Sequence, residues 1–206
     1  MWTELGIRPG VTAIIGAGGK TSLMDCLWRS LPGRVVVCTS THIYPVADLP
    51  CFERLSGELP EKLCLGTPAE HGKLTAPVED LALLRELYDF VLVEADGAKH
   101  LPLKAHLDHE PVIPACADQT ICVVGLTGLD RPIVEVAHRP ERFAELCGAR
   151  VQDVATAERV AQVLNTEALA DRYVLNQADN DYLRKQGEAL GQLLHKPWTL
   201  TSFVQK

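Results

Sequence analysis

A glycine-rich segment near the N-terminus contains the residue types whose spacing most directly indicates chemistry. It comprises Gly16, Ala17, Gly18, Gly19, Lys20, Thr21 and Ser22. Glycines let backbone N–H groups turn toward an anion, a lysine at this place can reach a β- or γ-phosphate, and a following hydroxyl can bind Mg²⁺. The standard phosphate loop has a glycine where this chain has Ile14, so we expect a shorter or differently shaped loop. The segment predicts a nucleoside triphosphate site; the alternative is a tight turn with a chance lysine.

Two acidic residues follow an apolar run further along the chain. Residues 90–93 are apolar, and Glu94 and Asp96 come directly after them, separated by Ala95. If the strand persists, both carboxylates point to the same side. Near a triphosphate such groups hold Mg²⁺ or orient an attacking water. We therefore predict Glu94 and Asp96 as catalytic groups beside Lys20, and as metal ligands together with Thr21. An ordinary solvated strand end is the alternative.

A third polar cluster has the spacing of a base-recognition element. Asn176, Gln177, Ala178 and Asp179 resemble the N-K-x-D element of GTP-binding proteins, in which the aspartate accepts hydrogen bonds from guanine. Gln177 stands where lysine is usual, so guanine, adenine and a plain turn all stay open. We predict that Asn176 and Asp179 contact the base.

Further polar side chains follow the second and third predicted strands. Hydroxyl, imidazole and ammonium groups there can contact the γ-phosphate, a second substrate or a switch-like loop. The substrate or switch candidates are Thr41, His42, Lys99 and Lys104. His106, His109 and Glu110 can also ligate metals, although their spacing matches no zinc pattern closely.

Composition limits the protein classes that are compatible with this sequence. The chain has 206 residues and a formal net charge of −7. A negative charge argues against broad binding to nucleic acids or anionic membranes. The seven cysteines include no C-x-x-C pair, and they are typical of free thiols in a reducing compartment. We expect one domain over residues 1–206 in a cytoplasmic protein, since the chain opens without the features of a signal peptide.

Strand-like and helix-like segments alternate along the chain. Strands are predicted at residues 11–15, 34–40, 89–95, 120–125, 172–175 and 198–201, with a short one at 62–65. Helices are predicted at residues 21–31, 78–88, 139–147, 156–164, 165–170 and 182–194. This order predicts an α/β fold: a mostly parallel sheet with helices on both faces, similar to P-loop NTPases. Ligands of such sheets bind beyond the carboxyl ends of the strands, which is where the polar clusters fall.

These motifs together resemble those of the YqeC family. The resemblance extends from about residue 11 to residue 179, and residues 94–114 are its most specific part. Two departures are Gln177, and Lys99 with His100, where arginine and glycine are expected. The family is described as P-loop-like accessory proteins of selenium-dependent molybdenum hydroxylases. The resemblance therefore implies a role in maturing such an enzyme, through labile selenium or the molybdenum cofactor.

Three functions are compatible with these residues. The first is an Mg²⁺-dependent accessory protein that binds GTP or ATP, whose hydrolysis would drive a change in the loop after Asp96 and gate delivery to a hydroxylase client. The second is a small-molecule transferase or kinase using the same phosphate loop. The third is a non-catalytic module that binds the molybdenum cofactor or a nucleotide.

Overall fold

The computed structural model describes residues 2–203 and divides the chain into two compact units. The first unit contains Thr21–Gly97 and Val112–Thr120 together with the chain up to Ile15. The second unit contains Gly16–Lys20 and Ala98–Pro111 together with the chain from Ile121 onward. The single domain over residues 1–206 stays a prediction. Among the described residues, no helix is long and apolar enough to cross a membrane.

The first unit is built on five parallel strands. Its strands are β1 (Gly10–Gly16, whose last residue belongs to the second unit), β2 (Val35–Thr39), β3 (His42–Ile43), β4 (Cys51–Phe52), β5 (Lys62–Leu65), β6 (Thr67–Pro68), β7 (Leu74–Thr75) and β8 (Phe90–Glu94). The parallel strands follow the order β1-β8-β2-β5-β4, and β3, β7 and β6 form a small antiparallel sheet. The helices are α1 (Lys20–Ser30, whose first residue belongs to the second unit) and α2 (Leu81–Leu87).

The core of the first unit explains why these strands are apolar throughout. Every residue of β2 is buried, as in a parallel sheet covered on both faces. On one face, alternate residues such as Val36 and Val91 pack with Leu84 and Tyr88 around α2. Asp80 starts α2, because its side chain accepts a hydrogen bond from the N–H of Ala82.

The second unit contains five strands, all paired in parallel, and four α-helices. Its elements are β9 (Leu103–Lys104), β10 (Gln119–Gly125, whose first two residues belong to the first unit), α3 (Ile133–Val136), β11 (Ala137–His138), α4 (Pro140–Leu146), α5 (Ala157–Glu167), β12 (Arg172–Asn176), α6 (Asp181–Leu193) and β13 (Trp198–Leu200). β12 pairs in parallel with β10 and β13, and β9 pairs in parallel with β11. Side chains of Thr156 and Asn180 cap the first turns of α5 and α6.

The α/β fold class is confirmed, since eight strands belong to a mostly parallel sheet and helices alternate with them. The short strand predicted at residues 62–65 is present as β5. The helix predicted at residues 165–170 is wrong as a separate element. Helix α5 runs through to Glu167 and ends there, because Ala168 has a left-handed backbone conformation with φ of 50°.

Candidate functional site

The glycine-rich loop after β1 has a main chain that only glycine can adopt easily. Gly16, Gly18 and Gly19 have φ of 90°, 80° and 124°, in the region where a side chain causes strain. A Cβ on Gly16 would collide with the carbonyl oxygen of Val123, and one on Gly18 would collide with the backbone of Gly125. Close packing on β10 therefore requires glycine at both positions.

Two N–H groups of this loop are bound within the second unit. Ala17 N donates to Val123 O at 2.8 Å, and Gly18 N donates to Leu101 O at 3.2 Å. These bonds fix the start of the loop. An anion at this loop would therefore be bound by N–H groups further along, where α1 begins at Lys20 and the first turn of a helix presents unsatisfied donors.

The Lys20 side chain folds back over the loop that precedes it. Its ammonium donates to Gly16 O at 2.8 Å, and the residue is only 6% exposed. The charge therefore lies at the loop itself, where a phosphate bound by the loop would meet it. A lysine ammonium has three donors, so contact with a phosphate is compatible with the bond to Gly16.

Asn176, at the end of β12, contacts the loop directly. Its amide nitrogen donates to Gly18 O at 2.9 Å. Its amide oxygen accepts from Thr201 Oγ1 at 3.1 Å and from Phe203 N at 3.0 Å. The residue is 1% exposed, so these bonds are made in a dry environment. Asn176 thus holds the glycine-rich loop in addition to any contact with a base.

The rest of the base-recognition element lies at the same end of β12. Asp179 is exposed, and its carboxylate accepts a hydrogen bond from the Ser202 hydroxyl. Gln177 Oε1 accepts from Thr127 Oγ1 at 2.6 Å. Asp179 can therefore reach a ligand in solvent, whereas Gln177 is held against the end of β10.

In the first unit, the carboxyl ends of β1, β8 and β2 are neighbours. Glu94 lies in register with Ile14 and Thr39. Its carbonyl oxygen accepts from Thr39 Oγ1 at 2.8 Å and from Ser40 N at 3.1 Å. The turn after β2, which carries Thr41, is thereby joined to the strand end that carries both acids.

The donor chemistry of these strand ends fits a hard cation. A Thr21 hydroxyl and the carboxylates of Glu94 and Asp96 are all oxygen ligands, the type that Mg²⁺ prefers. Asp96 is 2% exposed, whereas Thr21 is exposed. Residues 2–203 contain no group of three or more His, Cys, Asp or Glu arranged to hold a metal. A site that uses one or two carboxylates and a phosphate does not need such a group.

The switch candidates lie in different surroundings. His42 is exposed and pairs with Thr75 between β3 and β7. Lys99 is exposed, with φ of 48°. Lys104 is only 5% exposed, and its ammonium lies 2.6 Å from Glu110 Oε2.

Glu110 links Lys104 to a second cation. Arg139 Nε donates to Glu110 Oε1 at 3.2 Å. Burial alone raises the pKa of Glu110, but hydrogen bonds and attraction from Lys104 and Arg139 outweigh burial and lower it to about 2. Burial, followed by repulsion from the same two cations, lowers the pKa of His138. Lys104 therefore forms part of a buried charge network in the second unit.

The three residues considered for a metal do not form a site together. His106 Nδ1 lies 2.9 Å from Glu167 Oε2, with both side chains buried. Glu110 binds Lys104 and Arg139, as described, and His109 is exposed beside it.

Comparison with known proteins establishes the family. A family model described as YqeC protein matches residues 12–141. The chain belongs to the YqeC family. A relative from Escherichia coli (strain K12), named "Uncharacterized protein YqeC", is 35% identical over 158 residues, which cover 68% of this chain and 62% of that relative. The chain thus spans less than two thirds of that relative's length.

A solved structure also shows similarity to this YqeC family member. It is the crystal structure of HypB from Helicobacter pylori in complex with nickel, with a TM-score of 0.42 and 13% identity. The alignment covers 98% of this chain and 82% of that chain.

Within the second unit of this YqeC family member, the structure brings together Gly16–Lys20 and Asn176. Within the first unit it brings Thr41 near Glu94 through Thr39. Sequence reasoning missed residues 201–203 as contacts of the predicted site residues Asn176 and Asp179. They follow β13, so the rule that ligands bind beyond strand ends gave a signal for them.

Proposed function

We propose that this chain binds a nucleoside triphosphate together with Mg²⁺ on the loop at residues 16–22. The observation that carries the proposal is the arrangement of Lys20 over three glycines with positive φ, while Asn176 holds the carbonyl of Gly18. A phosphate chain needs such a combination of a lysine charge, a turned main chain and a helix start.

Each part of the nucleotide has proposed partners in the chain. Gly16, Ala17, Gly18 and Gly19 give the loop its shape, and Lys20 neutralises phosphate charge. The hydroxyls of Thr21 and Ser22 and the carboxylates of Glu94 and Asp96 would hold Mg²⁺, which when bound shields the phosphate oxygens. Glu94 or Asp96 would also orient the attacking water.

The proposed base is guanine, with adenine as the competing choice. Asp179 is exposed and accepts a hydrogen bond from the Ser202 hydroxyl, and the two oxygens of its carboxylate would accept the two N–H donors of guanine. Adenine offers no such pair of donors on one edge.

Family membership supports a role for this nucleotide site in an accessory protein. We propose that it serves maturation of a selenium-dependent molybdenum hydroxylase in the cytoplasm, with nucleotide hydrolysis controlling delivery to the client. Lys99 lies at the surface of the second unit. It is at the start of the segment after Asp96 whose conformation would change on nucleotide hydrolysis.

Calorimetric titration tests the binding step. Wild type, Lys20→Ala and a matched control, Lys185→Ala on the exposed face of α6, are titrated with GTP and with ATP in MgCl₂. A charge-assisted hydrogen bond contributes about 1.5–3 kcal/mol, so we expect about 10- to 150-fold weaker binding for Lys20→Ala. The control should bind like wild type. Absent binding by wild type, or equal affinity of the Lys20 variant, would refute the proposal.

Product analysis tests the chemical step. After incubation with Mg²⁺, the tighter-binding nucleotide and candidate small-molecule acceptors, mass spectrometry and a phosphate assay identify the products. Hydrolysis predicts a nucleoside diphosphate and inorganic phosphate in equal amounts. A phosphorylated small molecule would instead indicate a transferase, and unchanged nucleotide would indicate a binding module.

A further inference from the structure

The Asn176 side chain connects two segments that are far apart in the sequence. Its amide oxygen accepts from Thr201 Oγ1 and from Phe203 N, and its amide nitrogen donates to Gly18 O. A main-chain N–H can only donate, so the oxygen of the amide must face Phe203 and the NH₂ group must face Gly18. A continuous chain of hydrogen bonds therefore runs from Thr201 to the glycine-rich loop.

The position of Thr201 is set by the main chain of its neighbours. Thr201 N donates to Leu175 O at 2.9 Å, and Thr201 O accepts from Ala178 N at 3.0 Å. These two bonds continue from the last paired residues of β12 and β13, Leu175 and Leu200, and hold Thr201 beside Asn176. They place the hydroxyl of Thr201 3.1 Å from the amide oxygen, where it limits rotation of the amide.

The glycine-rich loop, at the other end of this series of hydrogen bonds, has an intrinsically flexible main chain. Gly18 and Gly19 have positive φ, and glycine exchanges between such conformations and negative φ at low cost. The bond from Asn176 to Gly18 O therefore restrains the loop in addition to the main-chain bonds of Ala17 N and Gly18 N. Asn176 is 1% exposed. If the Thr201 hydroxyl that donates to the Asn176 amide oxygen is removed, water therefore cannot readily take the place of that donor.

We infer that Thr201 is a positioning residue for the phosphate loop, acting through Asn176, so that residues 201–203 set the affinity for the nucleotide. The effect on affinity rests on the proposed function, whereas the effect on the loop does not. A loop held in one conformation binds its ligand without first having to be ordered, and this preorganisation increases affinity.

Hydrogen exchange of the ligand-free protein tests the effect on the loop. We compare wild type with Thr201→Val, which has the same shape without a hydroxyl, and Thr201→Ser, which retains the donor. Thr199→Val is the matched control, since the Thr199 hydroxyl accepts from Arg172 instead. Loss of one hydrogen bond predicts about three- to tenfold faster exchange at residues 16–20 in Thr201→Val. The serine variant and the control should exchange like wild type.

Titration with MgGTP and MgATP tests the effect on affinity. Thr201→Val should raise the dissociation constant about three- to tenfold, and Thr201→Ser should restore it. The inference would be overturned if hydrogen exchange at residues 16–20 were unchanged in Thr201→Val. It would also be overturned if Thr201→Ser and Thr201→Val increased this exchange equally. If wild type binds no nucleotide but the exchange pattern holds, the proposed function fails and the positioning role stands. Thermal denaturation checks that every variant is folded.

Discussion

Replacing Glu110 by glutamine tests whether the buried charge network stabilises the protein in a pH-dependent way. The pKa of this carboxyl falls from its ordinary value of 4.5 to about 2. The folded protein therefore favours the ionised form. Glu110 contributes stability that is present above pH about 4.5 and is lost as the pH falls through about 2.

The size of the effect follows from these two pKa values. Each pH unit between them corresponds to about 1.4 kcal/mol, so we expect Glu110 to contribute about 3 kcal/mol to the free energy of unfolding at pH 7. At pH 3.5 we expect about 1 kcal/mol of this to be lost already. The same order of magnitude is expected when one partner of a buried ion pair is removed.

Urea denaturation of wild type and Glu110→Gln at pH 7, 5 and 3.5 measures this contribution. We expect the variant to be less stable by about 3 kcal/mol at pH 7 and by about 2 kcal/mol at pH 3.5. Glu145→Gln is the matched control, because Glu145 pairs with Arg142 at 2.8 Å with a side chain that is 68% exposed. That variant should lose less than about 1 kcal/mol. The reasoning would be refuted if Glu110→Gln changed the free energy of unfolding at pH 7 by less than about 1 kcal/mol. It would also be refuted if the difference from wild type did not shrink as the pH falls.

Three further predictions concern the loop, the base and the thiols. Gly19→Ala should weaken MgGTP binding about tenfold or more in a titration, because a Cβ at this φ of 124° is strained and would collide with the Asn176 amide. Equal affinity of the variant and wild type would contradict this. Asp179→Asn should change the preferred nucleotide from GTP to xanthosine triphosphate in competition assays, because an amide can donate to the additional carbonyl of xanthine; an unchanged preference would argue against base contact. Burial raises the pKa of the Cys64 thiol to about 12, so at pH 8 a thiol reagent should label exposed Cys51 first and Cys64 only after denaturation, as peptide mapping can show.

The alternation of apolar and helical segments was sufficient to predict the α/β class. Buried parallel strands need apolar residues on both faces, and β2 shows this in Val35, Val36 and Val37, all buried. The short strands between residues 42 and 75 were not predicted, except for β5. Two-residue strands such as β3 and β7 exist through pairing with each other, and local sequence contains no information about such partners.

The candidate site was predictable where it depends on strand ends, and unpredictable where it depends on side-chain partners. Asn176 was predicted as a contact to the base, and the structure shows that its amide also holds the glycine-rich loop. Lys104 was predicted as a switch contact, which stays a prediction; the structure places its ammonium on Glu110. The Gly18 partner was not evident, because it lies 158 positions from Asn176.

The buried bond between His106 and Glu167 has a mechanical consequence for the segment that follows Asp96. Residue 106 is fastened to the end of α5 by its side chain and by its main-chain N–H, which donates to Glu167 at 2.6 Å. Two residues earlier, β9 is fastened to β11. Leu101 O and Pro102 O also accept hydrogen bonds, from Gly18 N and Gly125 N. Within the second unit, a hinge-like movement before β9 that leaves all these bonds intact is therefore confined to residues 98–100. Three residues span at most about 11 Å when fully extended, so the reach of such an arm is short and ends at Leu101.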